Sequence, residues 1–245
     1  MGAGYARARP PVHPVILTEA SRALGRTGPW RRALDVGCGA GMSTKALEGF
    51  AAQRVGLEPA EPMLRWAGEV AAGASFVVGG AEAIPIDRGT IDVITAAGSL
   101  NFVAGLDRFF SEAERVLAPG GILLVYDFGP GERFTGSTLL TEWTGAFTSR
   151  YPKPVAEAAV LSPPILAGMD PRFRLIAGRE FTVTLTLTPS FYLEYMLTET
   201  NVAAAIRRGT LESEIRSWCE TTLGPVWRGE PQEVVFDCYF ACLGK

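Results

Sequence analysis

The sequence predicts an α/β fold with a mostly parallel, seven-stranded sheet, an antiparallel edge strand, helices on both faces and a C-terminal cap insertion. Between residues 31 and 128, short apolar runs typical of buried strands alternate with amphipathic helical patterns, as in βαβ units. This alternation ends near Thr135. The 245 residues, 47% of them apolar, are enough for one large domain with a sizeable core.

The first half of the chain is predicted as a regular series of elements. A helix runs from Pro14 to Leu24 and stops at Gly25, because glycine commonly ends helices. The segments that follow are predicted, in chain order, as strand RALDVG, helix MSTKALEGFAA, strand RVGLEP, helix EPMLRWAGEVAA, strand SFVVGG, strand TIDVITAAGS, helix LDRFFSEAERVL and strand GGILLVYDFGP. Strands joined by helices of this length favour a parallel sheet.

The second half of the chain is less regular. Five prolines and Gly168 lie between Pro152 and Pro171, which indicates an irregular excursion rather than another βα unit. We assign residues 130–178 to a substrate-cap insertion in a main domain of residues 31–245, and residues 1–30 to an N-terminal helical lid. The chain is predicted to close with strand REFTVTLTLT, helix PSFYLEYMLTETNVAAAI and strand EVVFDCYFACL, the two strands forming the antiparallel edge.

Charge and composition exclude several classes of protein. The net charge is −3, so the chain lacks the basic surface of a nucleic-acid-binding protein. No apolar run reaches the ~18 residues of a membrane span, and the N-terminus lacks a signal-peptide pattern, so we expect a cytoplasmic protein with no membrane partner. The four cysteines are irregularly spaced and His13 is the single histidine, so we expect reduced thiols and no metal site.

The strongest functional signal is LDVGCGAG, Leu34 to Gly41, directly after the first predicted β-strand. In an open parallel sheet, ligands bind beyond the carboxyl ends of the strands, and glycines there let a ligand approach the backbone closely. The spacing is G-x-G-x-G rather than the G-x-G-x-x-G of dinucleotide-binding sites. Asp35 beside the loop would repel a pyrophosphate and suits a cationic or zwitterionic ligand. The loop therefore indicates a nucleotide-type cradle.

This loop resembles the first motif of class I S-adenosylmethionine-dependent methyltransferases, and further matches extend from Arg31 to Phe128. Taken together, these motifs are similar to those of the type 11 methyltransferases that modify small molecules. The resemblance implies a Rossmann-like sheet and S-adenosylmethionine as the cofactor. It also implies that the amino-acid and ribose parts of the cofactor contact a set of first-motif residues, namely Asp35, Gly37, Gly39 and Gly41.

The second and third matching segments concern the ribose and adenine of the cofactor. In VGLEP, Glu58 stands where the family's acidic residue binds both ribose hydroxyls, with Pro59 beside it. In AEPML, Met63 matches the position that packs against the adenine. In GGAEAIPIDRGTIDVI, Gly80 replaces the aspartate that members of the family often carry. Ala81 or Glu82 would then have to hold the adenine amino group.

The segment AAGSLNFV follows the fourth predicted strand and is similar to the part of the family that opens towards the acceptor. Here the resemblance implies that Ala97 and Gly98 contact the cofactor and that Asn101 and Phe102 line the acceptor side. Many relatives carry a histidine near Asn101, and this chain does not.

Methyl transfer from a sulfonium is a displacement at carbon, so an enzyme mainly orients the reactants and excludes water. A general base helps only when the acceptor must lose a proton. The candidates are His13, in a segment YARARPPVHPVIL that resembles the lid of small-molecule members and includes Tyr5, and Asp127 after the fifth strand. Aromatic residues that could wall an acceptor pocket include Trp143 and Tyr192.

The leading hypothesis is S-adenosylmethionine-dependent methyl transfer to a small molecule, on oxygen, with a secondary metabolite or lipid-like acid as the acceptor. Two alternatives stay open. The first is an NAD-dependent oxidoreductase, which the glycine spacing and Asp35 disfavour. The second is a non-catalytic S-adenosylmethionine-binding scaffold, which Gly80 leaves open. Nucleic-acid acceptors are not expected, and a homodimer is not excluded.

Overall fold

The computed structural model describes residues 8–154 and 160–245. In chain order its helices and strands are α1 (His13–Ala23), β1 (Trp30–Val36), α2 (Met42–Ala46), β2 (Ala51–Glu58), α3 (Glu61–Val70), β3 (Ser75–Val78), β4 (Ile91–Ala97), α4 (Leu106–Val116), β5 (Leu117–Phe128), β6 (Arg133–Phe134), α5 (Leu139–Arg150), α6 (Pro163–Ala167), β7 (Arg174–Leu187), α7 (Pro189–Met196), α8 (Thr200–Arg207), α9 (Glu212–Trp227) and β8 (Gln232–Gly244). A 3₁₀ turn, Leu100–Phe102, lies between β4 and α4.

The described residues group into two compact units. The sheet unit draws on residues 11–128, 160–181 and 238–245. The helical unit draws on residues 8–10, 129–154 and 182–237. Both β7 and β8 contribute residues to each unit.

The strand order in the sheet unit is β3-β2-β1-β4-β5-β8, and β7 pairs with β8. The first five strands in this order run parallel, whereas β8 is antiparallel to β5, with Tyr126 opposite Phe240. Chain order reverses between β1 and β4, and a ligand site is expected at the carboxyl ends of strands on either side of such a point. This arrangement confirms the predicted parallel sheet with an antiparallel edge.

The core of the sheet unit explains why the central strands are almost continuously apolar. A parallel sheet is covered on both faces, so its inner strands bury both sets of side chains. Val93, Ile94 and Ala96 of β4 are fully buried. Four residues of α4 at helical spacing are buried in one apolar cluster with Ile94 and Ala96, namely Phe109, Phe110, Ala113 and Val116.

The helical unit is built around aromatic side chains. Trp143 of α5 stacks on Phe147 with ring centroids 5.2 Å apart, and Trp227 of α9 meets Phe134 edge to face at 4.7 Å. Such pairs add about 0.5–1.5 kcal/mol each to the burial of their area. The strand β6 pairs here with the first part of β8, Arg133 lying opposite Val235.

Two predicted helices differ from those observed. The helix predicted over MSTKALEGFAA ends at Ala46, since Gly49 takes a left-handed conformation at φ +82° and β2 begins at Ala51. The helix predicted from Pro189 to Ile206 is two helices, because a turn at residues 197–199 separates α7 from α8. The helices α5 and α9 were not predicted.

In the part of the chain that the structure describes, no helix combines the length and the apolar composition that crossing a bilayer requires. All four cysteines are buried, and no disulfide joins any two of them.

Candidate active site

A pocket of about 390 Å³ lies at the carboxyl ends of β1, β2 and β4, on both sides of the reversal in strand order. Seven of the residues predicted to bind cofactor or acceptor line it, and these are Gly37, Glu58, Pro59, Ala81, Glu82, Gly98 and Phe102. Val36, Gly79, Gly80, Ser99 and Val103 complete the lining. The sequence motifs, which are distant along the chain, therefore converge on one pocket.

The glycine loop after β1 needs its glycines for conformation and for packing. Gly37, Gly39 and Gly41 have φ of +70°, +53° and +87°, which side chains rarely adopt. A Cβ on Gly37 would overlap Ser99 and lie 3.0 Å from its Oγ. A Cβ on Gly41 would lie 3.0 Å from Cα of Ala67 in α3. Contacts inside the protein thus account for two of the glycines, while Gly37 also lines the pocket.

Asp35, at the end of β1, is fully buried and acts as an anchor for this loop. Its Oδ2 accepts hydrogen bonds from the hydroxyls of Ser43 and Thr44, each at 2.6 Å, and its Oδ1 accepts one from Thr95 at 2.9 Å. Burial raises the pKa of Asp35 above its ordinary value, although the three hydroxyls oppose this shift. The carboxylate ties β1 to α2 and β4, and its predicted contact with the cofactor stays a prediction.

Glu58, at the end of β2, lines the pocket and is held by two backbone amides. Its Oε2 accepts from the N–H of Gly39 and its Oε1 from the N–H of Ala60, both at 3.0 Å. The carboxylate therefore connects β2 to the glycine loop. Met63 lies beside the same loop, its methyl carbon 3.7 Å from where a Cβ on Gly39 would stand.

Residues 79–82, which follow β3, form one wall of the pocket, and this wall carries a carboxylate beside Gly80. A Cβ on Gly80 would lie 3.2 Å from Oε2 of Glu82, so the Glu82 carboxylate lies in the space that a side chain at position 80 would enter. Its Oε1 accepts from the N–H of Gly105 at 3.4 Å. An acidic group is thus present in this wall, although position 80 has no side chain.

The loop that carries Glu82 is fixed by α4. The N–H of Ile84 donates to Oε2 of Glu112 at 2.7 Å, and Arg115 donates to the carbonyls of Ile84 and Ile86 at 2.7 and 2.8 Å. Arg115 also bonds to Glu112 and lowers the pKa of that carboxyl. These contacts, which the sequence did not predict, hold the loop against the sheet unit.

The β4 end of the pocket is shaped by Gly98, whose φ is +59°. A Cβ there would lie 2.7 Å from Oδ1 of Asp127, so the glycine makes room for that carboxylate. Ala97, the last residue of β4, and Asn101 are partly buried but do not line the pocket. Phe102 lines it and leaves 71% of its surface exposed.

At the end of β5, His13 meets a residue that the sequence did not indicate. Its Nδ1 lies 3.2 Å from the hydroxyl of Tyr126, and its ring packs edge to face on Phe128 with centroids 5.1 Å apart. Asp127, between these two aromatic residues, accepts the backbone N–H of Phe128 on Oδ1 at 2.8 Å. The two predicted catalytic residues, His13 and Asp127, are therefore both held at the carboxyl end of β5.

The remaining predicted acceptor residues lie elsewhere in the chain. Trp143 and Tyr192 are buried in the helical unit, where Trp143 donates to the hydroxyl of Thr222 at 2.9 Å and Tyr192 donates to the carbonyl of Gly131 at 2.8 Å. Both side chains pack within that unit. Tyr5 lies outside the described residues.

The strand order, the glycine loop after β1 and the carboxylate at the end of β2 are similar to those of class I S-adenosylmethionine-dependent methyltransferases. Residues 34–125 match the type 11 family model described as a methyltransferase domain. This part of the chain is therefore similar to the class I methyltransferases, whose cofactor is S-adenosylmethionine.

Two similar proteins are methyltransferases by name. A phthiotriol/phenolphthiotriol dimycocerosates methyltransferase from Mycobacterium leprae is 29% identical over 175 residues, which are 67% of this chain and 65% of that protein. A malonyl-[acyl-carrier protein] O-methyltransferase from Methylococcus capsulatus is 39% identical over 106 residues, which are 41% of this chain and 38% of that protein. The match thus spans less than two thirds of either relative's length.

The fold is shared with a solved structure from Anaeromyxobacter dehalogenans that is described as a type II methyltransferase. The TM-score is 0.73 with 21% sequence identity, and the match covers 94% of each chain. This likeness shows the fold.

Proposed function

We propose that this protein transfers the methyl group of S-adenosylmethionine to an oxygen atom of a small-molecule acceptor. The observation that carries the proposal is the pocket of about 390 Å³ in which the glycine loop and the Glu58 carboxylate meet. Its volume is within the range of small-molecule sites.

In this proposal the cofactor lies along the carboxyl ends of β1, β2 and β4. Glu58 accepts the two ribose hydroxyls, for which a carboxylate has enough acceptor positions. Gly37, Gly39 and Gly41 present bare backbone to the amino-acid part, and Asp35 holds that loop in place. Four further residues that line the pocket contact the cofactor in this proposal, namely Pro59, Ala81, Glu82 and Gly98. Two residues beside the pocket, Met63 and Ala97, contact it as well.

Glu82 takes the adenine amino group in place of the missing side chain at position 80. Its Oε2 lies where a Gly80 side chain would extend, and the Glu112–Arg115 pair fixes the loop behind it. A carboxylate oxygen is an acceptor that suits an amino group.

The reaction is a displacement at the methyl carbon. A lone pair of the acceptor oxygen forms the new C–O bond while the C–S bond breaks. The electron pair of the C–S bond returns to sulfur, which becomes a neutral thioether. The protein orients the reactants and excludes water, with Asn101 and Phe102 on the acceptor side and His13 and Asp127 at the end of β5.

The name of one relative supports oxygen as the methylated atom and an acid as the acceptor, and the name of another supports a lipid as the acceptor. One relative is an O-methyltransferase of a malonyl carrier protein, and another methylates phthiotriol dimycocerosates. The assignments of residues 1–30 as a lid and residues 130–178 as a substrate cap belong to the same proposal, as does the acceptor contact of Tyr5.

The test is incubation with S-adenosylmethionine carrying a deuterated methyl group, and with panels of fatty acids, aromatic acids and phenols, followed by mass spectrometry. We expect a labelled methyl group to appear on a member of the acid panels. Cofactor binding with labelling of phenols instead would place methylation on a different acceptor class. Labelling at carbon or nitrogen would contradict O-methylation.

A further inference from the structure

The strand β7 borders the sheet unit. It pairs with β8 on one side, and no strand of residues 8–154 or 160–245 pairs with its other side. Its first part, Arg174–Phe181, belongs to the sheet unit and contains no buried residue. We call Arg174–Phe181 the open edge. A strand edge without a neighbour presents backbone N–H and C=O groups, which are a template for pairing with another chain.

Exposed apolar side chains accompany the open edge. Leu175 is 37% exposed and Ile176 is 48% exposed. The short helix α6 packs on the same segment, since a Cβ on Gly178 would lie 2.9 Å from Cβ of Pro163. On that helix Ile165 is 45% exposed. Apolar surface next to an unpaired strand edge is typical of a site for a protein partner.

The charged residues of the open edge indicate which partner fits. Arg174 and Glu180 are both exposed and stand at equal distances along the strand on either side of Ala177. If two copies of the strand pair antiparallel with Ala177 opposite Ala177, Arg174 of each copy lies opposite Glu180 of the other. Opposite charges in such positions stabilise an antiparallel pair, whereas like charges destabilise it.

We propose that the open edge is the interface of a homodimer, in which a second copy of the chain adds its own β7 antiparallel to this one, centred on Ala177. The pairing has two-fold symmetry, so each contact occurs twice. Backbone hydrogen bonds then join the two sheets into one. This inference does not depend on the acceptor of the methyl group.

The same register suits the uncharged positions. Ile176 comes opposite Gly178 of the second copy, so a large side chain faces a residue that has none. Leu175 comes opposite Arg179, whose aliphatic stem can cover it. The guanidinium of Arg179 lies 3.2 Å from Glu19 of α1 in its own chain, so its charge already has a partner.

Neighbouring registers lack this match. A shift of one residue in one direction places Arg174 opposite Arg179 twice, and these like charges repel. The same shift in the other direction places Leu175 opposite Glu180 and leaves no opposite charges facing each other. A different protein would have to supply both signs of charge at the right spacing, whereas a second copy carries them in the same strand.

The first test is the oligomeric state of the full chain by sedimentation equilibrium. We expect a dimer in the parent. Arg174→Glu places like charges opposite each other on both sides of the two-fold axis, so its dissociation constant should rise about tenfold or more. The double variant Arg174→Glu with Glu180→Arg restores both ion pairs with their signs exchanged and should dimerise like the parent. Arg65→Glu, at an exposed arginine of α3, is the matched control and should leave the dimer unchanged.

Three results would overturn the proposal. They are a parent that stays monomeric up to about 1 mM, an Arg174→Glu variant that dimerises like the parent, and a folded double variant that remains as weak as Arg174→Glu. Circular dichroism of each variant shows whether it is folded.

The second test checks the register and does not need the charge variants. Cβ atoms directly opposite each other in an antiparallel pair are about 4.5–5.5 Å apart, close to the span of a disulfide. Ala177→Cys should therefore form a linked dimer when oxidised with copper phenanthroline, while the four native cysteines are buried. Thr184→Cys, on the same strand but away from the two-fold axis, should stay unlinked. A dimeric protein in which Ala177→Cys does not link, or links no faster than Thr184→Cys, would place the interface elsewhere and overturn the proposal.

Discussion

Replacing Gly37 with alanine would place a Cβ against Ser99 in a loop whose backbone is already left-handed, at φ +70°. The left-handed conformation costs a residue with a side chain about 1–2 kcal/mol. The overlap with Ser99 forces a shift in a packed region, at about 1–3 kcal/mol. Gly37→Ala should therefore lower the free energy of unfolding by about 2–5 kcal/mol.

Gly49→Ala supplies the matched control for this prediction. Gly49 also has a left-handed conformation, at φ +82°, but a Cβ there would meet no atom within 4 Å. Only the conformational cost of about 1–2 kcal/mol applies. Urea denaturation followed by circular dichroism measures both variants against the parent. The double variant Gly37→Ala with Ser99→Gly should recover part of the loss, because it removes the overlapping Cβ.

The reasoning is refuted if Gly37→Ala and Gly49→Ala lose the same free energy of unfolding within about 0.5 kcal/mol. That result would mean that the contact with Ser99 does not constrain the loop. The conformational cost would then be the whole reason for glycine at position 37.

Three further predictions concern the pocket and its supports. Glu58→Gln should weaken binding of S-adenosylhomocysteine by about 1.5–3 kcal/mol in a calorimetric titration, because a charged hydrogen-bond acceptor is lost. The control variant Glu61→Gln on α3, titrated in the same way, should bind like the parent. Arg115→Met should weaken that binding a few-fold and lower the free energy of unfolding by about 1 kcal/mol, since the partly exposed guanidinium fixes the loop that carries Glu82. Asp35→Asn should flatten the pH dependence of stability above about pH 4, as measured by urea denaturation across the acid range.

The sign of the Asp35 effect follows from its environment. Burial raises the folded-state pKa of this carboxyl above the unfolded value of about 3.9. Between these two values the folded state binds more protons than the unfolded state, so the free energy of unfolding falls as pH rises. Asparagine does not titrate and removes that slope. Parallel pH profiles for the parent and Asp35→Asn would contradict this account.

Unchanged binding of S-adenosylhomocysteine in Glu58→Gln would contradict the prediction for Glu58. An Arg115→Met variant as stable as the parent would contradict the prediction for Arg115.

Features that depend on local periodicity could be predicted from the sequence. Strands buried on both faces are continuous apolar runs, so β1, β4 and β5 were visible, and their alternation with helices implied a parallel sheet. The glycine loop could be located because three closely spaced glycines after a strand are unusual. Why glycine is needed at these positions could be predicted only in part, because the close approaches of Gly37 to Ser99 and of Gly41 to Ala67 join segments that are distant in sequence.

Features that depend on tertiary contacts could not be predicted. Nothing in the sequence pairs Tyr126 with His13 across more than a hundred residues, although both lie in segments that were singled out. The hydroxyls that hold Asp35 include Thr95 from another strand, and its partners Ser43 and Thr44 look like ordinary helix residues. Trp143 is an aromatic residue at helical spacing, and such a pattern does not distinguish a ligand pocket from the aromatic core in which it lies.

The most direct test of the central claim is calorimetric titration of the protein with S-adenosylmethionine, S-adenosylhomocysteine and NADH. We expect the two sulfur compounds to bind at micromolar concentration or below, with affinity for S-adenosylhomocysteine reduced in Glu58→Gln, and no binding of NADH. Binding of NADH alone, or S-adenosylhomocysteine affinity that Glu58→Gln leaves unchanged, would contradict the assignment of the pocket at β1, β2 and β4 as the cofactor site.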